Sequence, residues 1–108
     1  MPLGKAIAQA GHAFIESLDN CRSQIPDIAN EYRTDKHGTK VTLKSPNLHK
    51  LLQAQDKCLE AGIPCALITD SGHICPPDFD GSPIITALGM GPATRNQINH
   101  ITKKFQLY

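Results

Sequence analysis

Residues 45–72, SPNLHKLLQAQDKCLEAGIPCALITDSG, hold a helix followed by a strand, and their reading decides the fold class. Ser45-Pro46-Asn47 offers capping oxygens and a proline suited to a helix start. Leu48, Leu51, Leu52, Gln55, Cys58 and Leu59 then trace a helical stripe that stops at Gly62. Pro64 to Thr69 is a short continuous apolar run, as in a strand covered on both faces, and Asp70-Ser71-Gly72 ends it.

The same pattern extends in both directions. Thr39 to Lys44 alternates polar and apolar residues, which predicts a strand with one wet face. Farther upstream, Ile7, Ala10, Phe14, Ile15 and Leu18 predict a helix from Gly4 to about Leu18. Its small residues, Ala6, Ala8, Ala10, Gly11 and Ala13, suit close packing on a sheet. Residues 19–38 are polar, with a short helix from about Pro26 packed by Ile25, Ile28 and Tyr32. Downstream, the Pro-, Asp- and Gly-rich stretch to Pro83 predicts a loop, Ile84 to Gly89 a strand, and Ala93 to Phe105 a last helix with Ile98, Ile101 and Phe105 inward. The expected fold is α/β, a three-layer α/β/α sandwich with a small mixed sheet.

The chain has 108 residues, enough for a single domain over 1–108. It contains no apolar run of the ~18 to 20 residues that span a bilayer and no secretory leader at its start, so a cytoplasmic protein without a membrane is expected. Eleven Lys and Arg against ten Asp and Glu give a charge of +1, so any attraction for a polyanion must be local. The acids stop at Asp80, whereas Arg95, Lys103 and Lys104 follow it. Cys21, Cys58, Cys65 and Cys75 show no zinc or disulfide spacing and are expected to be idle or buried thiols.

Lys5, Gln9 and His12 fall at i, i+4 and i+7 of the first helix and form a polar stripe beside the apolar one. Lys5 lies in the first turn, where backbone N–H groups and the helix dipole already favour an anion. By residue type alone, a solvated lysine, a hydrogen-bonded core histidine, a turn-closing Asp70 and a β-forming Thr86 are the favoured readings of these positions.

Read together, Gly4-Lys5, Gln9 and His12-Ala13, the Lys40-Val41-Thr42-Leu43-Lys44-Ser45-Pro46 strand, Leu51-Leu52, Ala61-Gly62-Ile63-Pro64, Leu67-Ile68, Asp70-Ser71-Gly72, Thr86 to Pro92 and the terminal Phe105-Gln106-Leu107-Tyr108 resemble the type II peptidyl-tRNA hydrolases, the family typical of archaea and eukaryotes. The resemblance covers most of the chain from Gly4. It implies hydrolysis of the ester joining a peptide to the 3′ end of tRNA, with tRNA as partner and no metal or organic cofactor. It also implies Lys5, Asp70 and Thr86 as catalytic residues. Asp70 would orient or deprotonate water, Lys5 neutralise the oxyanion or terminal phosphate, and Thr86 fix the water or substrate. Gln9, His12, His73, Arg95, Lys103 and Lys104 would bind substrate, and a homodimer is the expected assembly where family members pair.

Three features depart from the family pattern. His73 and Ile74 stand where the family carries Arg and Thr. Asp78 and Asp80 lie in a longer loop after Asp70. Only Met1-Pro2-Leu3 precede Gly4, so the family's first strand is expected to be missing, through an upstream start or a smaller sheet. Ile74 cannot hydrogen-bond through its side chain, which supports the alternative of a catalytically weakened or inactive RNA-binding or interaction domain of the same fold. Arg95, His100, Lys103 and Lys104, with Lys40 and Lys44, are candidate phosphate contacts or simply a solvated face.

Overall fold

The computed structural model describes residues 2–35, 38–70, 74–75, 79–80 and 84–108, the two short pieces inside 71–83 as backbone only. The elements are α1 (Leu3–Gln24), α2 (Pro26–Thr34), β1 (Leu43–Lys44), α3 (Leu48–Ala61), β2 (Cys65–Asp70), β3 (Ile74–Cys75), β4 (Phe79–Asp80), β5 (Ile84–Met90), α4 (Arg95–Thr102) and β6 (Gln106–Leu107). The α/β class is as expected. A mixed sheet was expected too, but every ladder among the described residues is antiparallel: β2 with β5, β1 with β6 and β3 with β4. Between β2 and β5 the described residues form only the short β3 and β4 strands and no crossover helix, and antiparallel neighbours need none.

The 45–72 unit forms as its residues dictate. Asn47 caps α3, its side chain accepting from the Lys50 amide, and Gly62 takes the left-handed conformation, φ 71°, that ends the helix. Ala54, Cys58 and Ile63 join Ile101 of α4 in the buried cluster, with Cys65, Leu88, Met90, Ile98 and Phe105 packed against it. Thr94 and Gln97 cap α4 reciprocally, so it starts later than Ala93. The expected strand at 39–44 shortens to Leu43–Lys44, which pairs with Gln106–Leu107 at the other end of the chain. Part of the expected loop forms the antiparallel β3–β4 pairing, whose two-residue strands are too short for alternation to show.

The first helix differs most from its expected form. It continues through Asn20 to Gln24, and its buried residues are Gln9, Ala13, Ser17 and Cys21, each four apart. Ile7 and Ile15, expected inward, are 64% and 62% exposed. The face turned to the ladder is small and polar because it lies against backbone. A Cβ on Gly89 of β5 would run into the Ala13 carbonyl and the Ser17 side chain. Ser17 Oγ donates to the Gly91 carbonyl, and Asn20 Nδ2 donates to the Cys65 carbonyl at 2.8 Å. Backbone groups at the ladder's end thereby find partners that isoleucines could not supply. Leu88 and Met90, the neighbours of Gly89, point to the other face and meet the α3–α4 cluster.

Candidate active site

α1 and β2 run in opposite senses, since Asn20 meets Cys65 while Lys5 meets Asp70. The N-terminal turn of α1 is therefore brought to the C-terminal end of β2. Beside that junction lies an open cleft of about 360 Å³, lined by Gln9, His12 and Glu16 of α1 and Leu67, Ile68, Thr69 and Asp70 of β2. Lys5 Nζ lies 2.6 Å from Asp70 Oδ2, the side chains being 28% and 24% exposed. A cation in a helix's first turn opposes the dipole by about 0.3–1 kcal/mol, and a carboxylate within bonding distance offsets that cost.

Thr86 of β5 donates its hydroxyl proton to Gln9 Oε1 at 2.9 Å, with the Ile68 carbonyl a second acceptor at 3.3 Å. The hydroxyl that donates to Gln9 keeps lone pairs with which to accept from water or substrate, while Gln9 keeps Nε2 as its donor end. Lys5 with Asp70 and Gln9 with Thr86 thus form two linked pairs spanning α1, β2 and β5. Together they offer a carboxylate base, a cation and an accepting hydroxyl beside solvent, a combination suited to moving a proton from water and steadying developing negative charge.

His12 is exposed on the cleft wall, where Glu16 extends the same stripe by one more turn. Glu16 escaped the sequence reading, although it lies four residues beyond His12 and the spacing of Lys5, Gln9 and His12 already led to it. His73 lies outside the described residues, and Ile74 is placed as backbone in β3. Arg95, Lys103 and Lys104 are exposed at the two ends of α4 and are not among the described residues lining the cleft. Lys103 and Lys104 also suit the negative end of that helix.

Among the described residues, no group of three or more His, Cys, Asp or Glu side chains is placed to hold a metal ion. Cys58 and Cys65 are free thiols. Burial pushes Cys58 up to about 12, with Cys65 adding to the effect, and burial raises Cys65 as well. Both therefore remain protonated and are poor nucleophiles. No helix among the described residues is long and apolar enough to cross a membrane.

The family described as peptidyl-tRNA hydrolase PTH2 matches residues 1–108. A peptidyl-tRNA hydrolase of Methanocaldococcus jannaschii is 31% identical over 107 residues, covering 99% of this chain and 89% of that protein. One of Methanococcus vannielii is 35% identical, covering 99% of this chain and 88% of that protein. A probable peptidyl-tRNA hydrolase 2 of Dictyostelium discoideum is 30% identical over this whole chain, which spans 49% of that longer protein. With its full length matched by that family, the chain belongs to the PTH2 peptidyl-tRNA hydrolases.

Proposed function

We propose that the cleft hydrolyses the ester of peptidyl-tRNA, with Lys5, Asp70 and Thr86 acting on the reacting atoms and Gln9 and His12 beside them. The activity is that of the family, whose match runs over residues 1–108 and leaves the inactive-domain alternative unfavoured. The observation that carries the assignment of roles is the Lys5–Asp70 pair at the cleft edge.

Asp70 holds a water and accepts its proton as the oxygen attacks the ester carbonyl carbon. Negative charge moves to the carbonyl oxygen, where the Lys5 ammonium stabilises it. As the tetrahedral intermediate collapses, the bond to the 3′ oxygen breaks. That oxygen takes up the proton held by Asp70, which returns to its carboxylate, and the peptide leaves as a carboxylic acid. Thr86 accepts a hydrogen bond from the water, and Gln9 keeps the Thr86 hydroxyl turned to that purpose. In the resting site Lys5 is occupied by Asp70, so an entering carbonyl or phosphate competes for the ammonium and leaves the carboxylate a better base. His73, Arg95, Lys103 and Lys104 are proposed to contact tRNA, with the cytoplasm, where translation takes place, as the compartment.

Incubation of the purified chain with an amino-blocked peptidyl-tRNA tests this reading. Turnover is expected, and Lys5→Met should lower kcat about 100-fold through loss of one charge stabiliser. Absence of turnover by the unaltered chain would overturn the function, and a near-normal rate in Lys5→Met would remove lysine from the mechanism.

Pairing of two copies belongs to the same proposal. Leu3, Ile7 and Ile15, 65%, 64% and 62% exposed on α1, supply apolar surface for it. Light scattering should give twice the 11.7 kDa chain mass. A monomer at the highest soluble concentration would dismiss the dimer.

A further inference from the structure

Away from the cleft, α3 and the turn after α4 enclose a groove of about 110 Å³. Ala54, Ile101 and Phe105 contribute apolar floor, and Lys50, Lys57 and Lys104 stand around it. Sites for drug-sized molecules run to about 300–1,000 Å³, so this one accommodates a single small group. The described residues lining it include no acid. Lys57 and Lys104 both line it, and the neighbouring Lys57 side chain holds the Lys104 ammonium below its ordinary pKa. Lys50 sits in the first turn of α3, whose dipole adds positive character. Ammonium groups gathered without a carboxylate between them repel, and a bound anion relieves that repulsion.

We propose that the Lys50–Lys57–Lys104 groove binds a backbone phosphate of the tRNA substrate, at a point remote from the ester under attack. This rests on the peptidyl-tRNA hydrolase reading. The favoured anion is a tRNA phosphate because the substrate is already held at the cleft by its ester-bearing end. A second contact on the same molecule is then intramolecular, so even one phosphate-sized site adds usefully to affinity. The two-point grip also separates peptidyl-tRNA from small esters, which reach the cleft but not the groove.

The test is binding of deacylated tRNA to the full chain over a range of salt concentrations. Lys57→Gln with Lys104→Gln should raise Kd about tenfold and flatten the slope of log affinity against log salt by roughly 1 to 2. The same pair changed to Arg should stay near the unaltered chain, and Lys50→Gln alone should give a smaller rise that can be read even if the double variant fails to fold. Unchanged Kd and salt slope in both Gln variants would overturn the groove. So would unchanged tRNA binding together with lost binding of a polyglutamate peptide, which would make the partner an acidic protein segment. Failure of the unaltered chain to hydrolyse peptidyl-tRNA would instead strike the underlying reading, and is distinguishable because it appears before any lysine is changed.

Discussion

Asp70→Asn should lower kcat/KM for an amino-blocked peptidyl-tRNA by about 10²- to 10⁴-fold, the range expected when a positioned acid–base group is lost. Asn keeps the volume and can still hold a water, but it can neither accept the water's proton nor carry the charge that pairs with Lys5 2.6 Å away. The loss should fall mainly on kcat. Stability should change little, because a pair with both side chains about a quarter exposed contributes on the order of 1 kcal/mol or less. Single-turnover kinetics and a melting curve on one preparation read both quantities. A rate within about threefold of the unaltered chain would eliminate Asp70 as base, since it falls well short of the acid–base range. A collapse in melting temperature would shift its role from chemistry to structure.

The candidate residues were singled out because motif order marked them; their mutual geometry was not legible in that order. Spacing placed Lys5, Gln9 and His12 on one helix face, and the turn after an apolar strand exposed Asp70. Nothing in a linear pattern says that Gln9 is buried and accepts a hydrogen bond from Thr86, 77 residues away. Long-range pairs of this kind depend on how α1 lies across the ladder. The same cause explains the inverted face of α1. Hydrophobic periodicity selected Ile7 and Ile15, whereas the buried positions were decided by the nearness of backbone and by carbonyls that needed donors. α3 was read well at its start and its stop, which depend on nearby residues, but its buried side is Ala54 and Cys58, whereas Leu48 and Leu59 of the expected stripe are 50% and 64% exposed. The two-residue strands were not read well, since pairing alone defines them.

Gly89→Ala should be the most disruptive alanine substitution among the described glycines. The added Cβ would lie 2.8 Å from Ser17 Cβ and 2.9 Å from the Ala13 carbonyl carbon, with the carbonyl oxygen nearer still. Helix backbone cannot rotate aside as a side chain does, so α1 must lift from β5. Overpacking costs typically ~1–3 kcal/mol, and with backbone as the obstacle the upper figure is expected. For a chain of this length that corresponds to a melting temperature lower by about 15 °C. Activity should fall at temperatures where the protein is still folded, because lifting α1 carries Lys5 and Gln9 away from Asp70 and Thr86. Thermal denaturation followed by circular dichroism, with turnover measured well below the midpoint, reads the two effects separately. A midpoint shift below about 2 °C, under half of what 1 kcal/mol gives in a chain of this size, would show that the helix yields freely.

That close contact has a consequence for how the protein can change over generations. On the α1 side of the ladder, Ala13, Ser17 and Gly89 leave no spare volume, and the distance across them sets how far Lys5 and Gln9 stand from Asp70 and Thr86. On the other side, Ile101, Cys58, Leu88 and Met90 fill space with flexible or interchangeable apolar groups. Changes in size and shape should therefore be tolerated on one face and refused on the other, so the core can be rebuilt while the spacing of Lys5 and Gln9 from Asp70 and Thr86 is kept.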